Sequence, residues 1–109
     1  MKMLRAQYER RGPVPRDVIR AVAFEPAPLA AGQARVEILA APINPADLLT
    51  LTGEYGILPP LPATGGSEGA GRVVEIGPGV TDVTPGQRVL LPSRSGTWAT
   101  HTVVDAARR

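Results

Sequence analysis

The chain has 109 residues, about the size of one domain, and its 12 glycines and 12 prolines predict many turns between short elements. It has no cysteine, which excludes disulfides and thiolate chemistry. Its net charge of +2 is not clustered into the basic face that nucleic-acid binding needs. No segment approaches the roughly 20 apolar residues that span a bilayer. We therefore expect no nucleic-acid and no membrane partner. One lysine against eleven arginines suggests a GC-rich genome, and we expect a bacterial cytoplasmic location.

Three strands are predicted in the first part of the chain. Residues 2–8 alternate loosely before a Gly-Pro turn, and residues 18–24 form a second apolar run that is ended by prolines. In residues 34–41, Val36 and Ile38 share one face, and Arg35 and Glu37 share the other. This alternation predicts a half-buried strand.

The next segment has the signals of a short helix. Asn44 suits the capping position and Pro45 the first helical position, and Gly53 suits the end of a helix of about two turns. Residues 54–66 are rich in Pro and Gly, which predicts a loop. A loop of this length in a small domain is usually functional or disordered.

Further short strands are predicted in the last third of the chain, at residues 71–77, 88–91 and 98–104, with Pro-Gly turns between them. Many short strands joined by such turns favour a small β-barrel or sandwich. The predicted fold class is therefore mainly β, with one or two short helices.

The order of these motifs resembles the GroES-like domain of medium-chain dehydrogenases and reductases, and the resemblance covers essentially the whole chain. The matching segments are Ala41–Asp47, Gly53–Gly56, Leu61–Ala63, Gly65–Val73 and Thr84–Val89. The resemblance implies a partly open β-barrel that forms the substrate side of a two-domain enzyme.

One departure from that family concerns zinc. Zinc alcohol dehydrogenases have a histidine ligand in a Gly-His-Glu motif, and here Ser67 stands at that position. A catalytic zinc usually needs three protein ligands, whereas this chain has no cysteine and one histidine, His101. We therefore expect no metal site, and we expect His101 to be a structural residue of a strand.

Two patches resemble mitochondrial-type 2-enoyl thioester reductases (trans-2-enoyl-CoA reductases). They are the tyrosine loop Gly53–Pro62 and the Gly-Thr-Trp segment Ser95–Thr100. The resemblance implies reduction of the 2,3 double bond of enoyl thioesters in fatty acid metabolism, with NADPH as the cofactor. An NADPH quinone oxidoreductase domain is the alternative within the same zinc-free branch.

Tyr55 is the candidate catalytic residue. When hydride adds to an enoyl thioester, negative charge develops on the thioester oxygen, and a phenol can donate a hydrogen bond to that oxygen or deliver a proton. An ordinary phenol is protonated at neutral pH. Resemblance places Tyr55 in this role; the alternative is a loop tyrosine packed on the rim of the barrel.

Three further residues have a structural and a functional interpretation each. Asn44 caps the helix and, by resemblance, faces the nicotinamide end of the cofactor cleft. Trp98 is a core or rim residue, or a substrate-binding wall of the acyl pocket near Tyr55. Glu68 resembles a family glutamate behind the active site, where it supports the site; a buried carboxylate needs a partner, and we expect an arginine.

The sequence lacks a nucleotide-binding motif. No Gly-x-Gly-x-x-Gly turn stands between a strand and a helix, so residues 1–109 are predicted to be the GroES-like catalytic domain alone. The Rossmann cofactor domain is expected in cis or in trans, and the isolated chain is expected to be inactive. Expected partners are an enoyl-CoA or enoyl-acyl-carrier-protein substrate and a second copy in a homodimer. A non-catalytic remnant or interaction domain is the remaining alternative.

Overall fold

The computed structural model describes residues 2–108. Its strands are β1 (Met3–Tyr8), β2 (Ile19–Phe24), β3 (Gln33–Ala40), β4 (Ala63–Thr64), β5 (Ala70–Ile76), β6 (Arg88–Leu90) and β7 (His101–Asp105). The α-helix α1 is Pro45–Thr52, and two short 3-10 helices are Pro15–Asp17 and Ala106–Arg108. The predicted class, mainly β with short helices, is confirmed. No helix of this part of the chain is long and apolar enough to span a membrane.

Two antiparallel sheets form the body of the domain. The first has the order β2-β1-β4 and the second the order β6-β5-β3-β7. The segment before β7 joins them. Ala6 N donates to Trp98 O at 2.8 Å, and Thr100 N donates to Leu4 O at 2.8 Å. On the other side, Ile38 N donates to Thr100 O at 2.9 Å. One short segment thus bonds to both sheets, as a partly open barrel requires.

Each sheet has its own apolar cluster. The four-stranded sheet covers a cluster of small aliphatic side chains, which are Ala34, Val36, Val73, Val83, Leu91, Val104 and Ala106. The other cluster lies between the three-stranded sheet and α1 and contains Tyr8, Val18, Leu51 and Ala63, with Trp98 packed against it. Because the second cluster spans both β1 and α1, it fixes the helix against the first sheet.

The helix α1 forms as its sequence predicts. Asn44 is the N-cap, with an extended backbone, and Pro45 takes the first helical position. The buried Asp47 accepts a hydrogen bond from Asn44 N at 2.8 Å, which satisfies a donor at the helix start. At the other end, Gly53 has a φ of 91°, and its N–H donates to Leu49 O. Local signals thus set both ends of the helix.

Two element boundaries differ from the sequence prediction. The loop predicted at 54–66 contains β4, whose two residues pair with Gln7 and Tyr8 of β1. The last strand begins at His101, because residues 98–100 bond mainly to β1, although Thr100 O also accepts a hydrogen bond from Ile38 N of β3. In both cases the pairing partner is β1, at the far end of the chain, which local periodicity does not report.

The expectation that β3 is half-buried is wrong at Arg35. This side chain is buried, at 5% exposure, beside the fully buried Val36. Its guanidinium pairs with Glu75 of β5, which lies opposite in register, and donates to Ala27 O. An arginine is tolerated inside because a carboxylate and a carbonyl satisfy its donors. Both faces of β3 are therefore covered here.

The Arg35–Glu75 pair leads to a stability prediction. Glu75→Ala leaves the buried guanidinium of Arg35 without its counter-ion, which should lower the free energy of unfolding by about 1–2 kcal/mol. This is less than for a fully buried pair because the Glu75 side chain is 55% exposed. The control is Glu37→Ala, whose pair with Arg72 is 3.9 Å long and partly exposed. Denaturant titration should show a clear loss for Glu75→Ala only; equal losses would contradict the prediction.

A second prediction concerns Gly71 in β5. A Cβ atom at this position would lie 2.4 Å from Val36 Cγ1 and 2.5 Å from the Glu37 carbonyl oxygen. Gly71→Ala should therefore destabilise the domain by about 1–3 kcal/mol through overpacking. Gly56→Ala is the matched control because nothing lies within 4 Å of its added Cβ. Thermal unfolding of both variants tests this, and a normal melting temperature for Gly71→Ala would refute it.

Candidate active site

The main candidate site is a cavity of about 520 Å³ between α1 and the first sheet. Its walls come from α1, the loop that follows it, the end of β1, and two segments near residues 65 and 93. They are formed by Tyr8, Ala46, Asp47, Thr50, Leu51, Tyr55, Ile57, Leu58, Pro59, Thr64, Gly65, Gly66, Ser67, Ser93 and Arg94. Most of this surface is apolar, and its few polar groups can orient a bound molecule.

Tyr55 lies in this cavity, as a candidate catalytic residue must. Its side chain is 41% exposed, and no residue in the described range hydrogen-bonds its hydroxyl. The loop that carries it is anchored on both sides. Glu54 N donates to Leu49 O at 2.9 Å, and the Arg11 guanidinium donates to Pro59 O. The phenol therefore lies on a loop that is hydrogen-bonded on both sides of it, and its own hydroxyl is free to donate.

Asn44 and Glu68 are brought together beside the cavity. The Asn44 side-chain amide donates to Glu68 Oε2 at 2.6 Å. Glu68 is exposed, so the expectation of a buried glutamate paired with an arginine is wrong. The physical reason is that the glutamate lies at the surface near the N-terminus of α1, where water and one amide suffice for the carboxylate.

Trp98 packs against an apolar cluster, as its structural interpretation predicts, and does not lie beside Tyr55. Its indole packs against the cluster of Tyr8 and Leu51, and Nε1 donates to Pro42 O at 3.1 Å. It is absent from the residues that line the Tyr55 cavity. The ring instead supports the wall from behind, because it contacts Gly65 and Gly66 so closely that no side chain would fit there.

Two cavity residues were missed by the sequence reasoning. Tyr8 was treated only as a residue of a strand, yet it lines the cavity at 1% exposure. Burial raises the pKa of the Tyr8 phenol, and the charge of Arg11 offsets part of that rise. Arg94 has a φ of 63°, the one positive value outside glycine in the described chain. The sequence signal that could have indicated Tyr8 is a tyrosine at the end of a predicted strand. The sequence contains no comparable signal for Arg94.

The residues do not fit a catalytic zinc. Ser67, at the position of the family's histidine ligand, has its hydroxyl engaged by Arg94 N at 3.0 Å. His101 is buried on β7 and lines a different cavity, of about 400 Å³, and its Nδ1 lies 3.0 Å from Thr100 Oγ1. Within residues 2–108 no three His, Cys, Asp or Glu side chains are grouped to hold a metal. No step of the chemistry is therefore derived through a metal.

Comparison with known proteins adds to this geometry. The model of the alcohol dehydrogenase GroES-like domain matches residues 30–108. A mitochondrial enoyl-[acyl-carrier-protein] reductase of Bos taurus is 46% identical over 90 residues, which is 82% of this chain and 24% of the relative. The chain thus spans about a quarter of the length of this curated relative.

Solved structures give the same result. The mitochondrial 2-enoyl thioester reductase Etr1p/Etr2p heterodimer from Candida tropicalis superposes with a TM-score of 0.87 at 28% identity, over 99% of this chain and 33% of that one. A complex of Etr1p with NADP and crotonyl-CoA has a TM-score of 0.88 at 27% identity, with the same coverage. A protein described as an NADPH:quinone reductase from Bacillus thuringiensis has a TM-score of 0.86 at 36% identity, over 97% and 32%.

The expected bacterial cytoplasmic location is contradicted by these comparisons. Relatives from cattle, human, frog and a plant carry the same name, mitochondrial enoyl-[acyl-carrier-protein] reductase. Their names place these relatives in mitochondria and their organisms are eukaryotes, whereas the excess of arginine over lysine bears on genome composition and does not indicate a compartment.

The family model covers most of the chain, and both the fold and the order of the motifs agree with it. The chain therefore belongs to the family of alcohol dehydrogenase GroES-like domains.

Proposed function

We propose that this chain is the substrate-binding part of an NADPH-dependent reductase that reduces the 2,3 double bond of enoyl thioesters. The observation that carries the proposal is the free hydroxyl of Tyr55 in a mostly apolar cavity. Its support is the likeness to enoyl thioester reductases, one of which was solved with NADP and crotonyl-CoA. The cavity volume of about 520 Å³ suits a small or medium acyl chain.

The proposed chemistry assigns one role to Tyr55. NADPH, when bound, supplies the hydride for one alkene carbon, and the neighbouring carbon takes a proton. Between these events negative charge develops on the thioester oxygen. The Tyr55 hydroxyl donates a hydrogen bond to that oxygen or delivers the proton, and the apolar walls strengthen the interaction by excluding water.

The remaining candidates take supporting roles in the proposal. Asn44 contacts the nicotinamide end of the cofactor, and Glu68 orients the Asn44 amide through the 2.6 Å hydrogen bond. Trp98 supports the cavity wall at Gly65 and Gly66 instead of contacting substrate. The residues present fit this limited share of cofactor binding, and a Rossmann domain in cis or in trans supplies the rest.

We also propose that the chain works in a dimer. Large apolar side chains are exposed along α1 and its flanking segments, outside the walls of the cavity; among them are Ile43 at 71%, Leu48, Leu49 and Leu61. An exposed apolar surface of this kind is typical of contact with another domain or chain. The related Etr1p/Etr2p pair was solved as a heterodimer. The carrier of the acyl group is coenzyme A or acyl carrier protein.

Quinone reduction is the second candidate function. It is favoured by the 36% identity to the Bacillus thuringiensis protein described as an NADPH:quinone reductase. The two functions differ in where the proton is added, because reduction of an enoyl thioester needs a proton donor for a carbon atom. A quinone takes its charge on oxygen, which water can protonate, so its reduction depends less on Tyr55.

The principal test is Tyr55→Phe in this chain assembled with a cofactor domain, in cis or in trans. Loss of the hydroxyl should lower the turnover of crotonyl-CoA by about 10²–10⁴-fold, because a positioned acid contributes on that scale. The measurement is the oxidation of NADPH. The melting temperature should stay within a few degrees, since the Tyr55 hydroxyl has no partner to lose.

Three results would count against the proposal. Near-normal turnover of crotonyl-CoA by Tyr55→Phe removes Tyr55 from the chemistry. A soluble, folded assembly that reduces a quinone but no enoyl thioester favours the quinone reductase. An assembly that fails to oxidise NADPH with either an enoyl thioester or a quinone favours the non-catalytic interaction domain.

The Asn44 proposal is tested by Asn44→Ser. Serine and asparagine are about equally favourable as helix N-caps, so this change removes the amide donor but keeps a good N-cap residue. The KM for NADPH should rise about tenfold, which corresponds to one hydrogen bond of ~1.4 kcal/mol. Steady-state kinetics at varied NADPH concentration measures this. An unchanged KM in a variant with a normal melting temperature would confine Asn44 to its capping position.

A further inference from the structure

Tyr8 occupies an unusual position for a core residue. It is the last residue of β1, and its ring packs in the cluster with Leu51 and Ala63. With 1% of its surface exposed it is one of the most buried side chains of the domain, yet it lines the same cavity as Tyr55. A residue that is both buried and part of a cavity wall must lie in a recessed part of that cavity.

The hydroxyl of Tyr8 has no hydrogen-bond partner in the described part of the chain, although the charge of Arg11 acts on it. No hydrogen bond to it exists within residues 2–108, although buried polar groups are nearly always paired. The hydroxyl is also not sealed in the core. Among the side-chain nitrogen and oxygen atoms of residues 2–108, the one that is fully buried and lacks a hydrogen-bond partner is Arg11 Nε. Tyr8 lines the cavity and its oxygen is not sealed, so this hydroxyl is the group of Tyr8 that a bound molecule can reach.

The character of the cavity limits what that molecule is. Asp47 and Arg94 are the charged residues that line it, and their charges cancel. The remaining walls are mostly apolar or hydroxyl-bearing. Such a cavity favours an uncharged ligand with a long apolar part and a few acceptor atoms. A phenol whose pKa is raised by burial stays protonated and serves as a donor, so the matching group is an acceptor such as a carbonyl oxygen.

We propose that the Tyr8 hydroxyl is a second hydrogen-bond donor of the substrate cavity and binds the carbonyl oxygen of the acyl thioester. This inference rests on the proposed function, since it names the oxygen of that substrate. Tyr8 holds the ground state of the substrate in place, and Tyr55 acts on the same molecule from its loop. The predicted signature is weaker binding without a loss of folding stability.

The test measures binding directly, without turnover. The chain has two tyrosines, so incorporation of 3-fluorotyrosine gives two fluorine NMR signals, which single substitutions assign. The ligand is the ethyl thioester of crotonic acid, whose one oxygen is the thioester carbonyl. Its affinity for the unsubstituted chain and for Tyr8→Phe is read from the Tyr55 signal. The control ligand is the matching thioether, which lacks the carbonyl.

Tyr8→Phe should bind the thioester about tenfold more weakly, as expected for the loss of one hydrogen bond. It should bind the thioether with unchanged affinity, and its melting temperature should be equal or higher because an unpaired buried hydroxyl has been removed. Equal affinity of both chains for the thioester overturns the proposal. Equal weakening for both ligands also overturns it, because that result indicates lost packing instead of a lost hydrogen bond.

A second variant keeps the proposal testable if Tyr8→Phe does not fold. In Tyr55→Phe the one remaining fluorine signal belongs to Tyr8, and it must shift when the thioester is added and shift less with the thioether. A signal that stays in place under saturating thioester overturns the proposal. If the thioester shifts the Tyr8 signal but the assembled enzyme with both tyrosines present shows no reductase turnover, the proposed function is refuted.

Discussion

The close contact between the backbone of Gly65 and Gly66 and the side chain of Trp98 is the constraint on which the site depends. A Cβ atom at Gly65 would lie 2.4 Å from Trp98 Cε3, and one at Gly66 would lie 2.6 Å from Trp98 Cδ1. Backbone hydrogen bonds hold the two segments together, with Trp98 N donating to Gly65 O at 2.9 Å and Gly65 N to Ala6 O at 2.9 Å. Glycine is therefore required at both positions, and at Gly66 a φ of 94° adds to the requirement.

This contact determines where the cavity lies. Because Trp98 fills the space behind Gly65 and Gly66, the backbone of these glycines becomes one wall of the cavity, and Tyr55 lies on the loop that forms another wall. The Trp98 indole also reaches Pro42, just ahead of α1, through its hydrogen bond of 3.1 Å. The first sheet, the residues before the helix and the wall of the site are thus tied to one side chain. Movement of any one of them disturbs the others, because interiors at this density have little free space.

The position of the zinc ligand in related enzymes has a different environment in this domain. Ser67 stands where zinc enzymes of the family have histidine, and its hydroxyl and carbonyl oxygens both accept a hydrogen bond from Arg94 N. This interaction holds Arg94 in a left-handed conformation that arginine rarely adopts. The hydroxyl groups of Tyr55 and Tyr8 line the cavity without a hydrogen-bond partner in the described part of the chain, and under the proposed function they are the donors that polarise a substrate carbonyl. Hydrogen bonding is a sufficient means of stabilising developing charge in an apolar cavity.

The sequence alone determined the class of fold, the helix and the family resemblance. Asn44, Pro45 and Gly53 define α1 because capping and backbone dihedral preferences act within a few residues. It did not determine which distant groups meet. The partner of Glu68 is 24 residues away, and the partner of the Trp98 indole is 56 residues away. Burial of the Arg35 side chain and the opening of Tyr8 into the cavity likewise depend on the packing of whole elements. These outcomes belong to tertiary structure, because long-range contacts follow from how sheets and helix fill space together and leave no periodic trace in the chain.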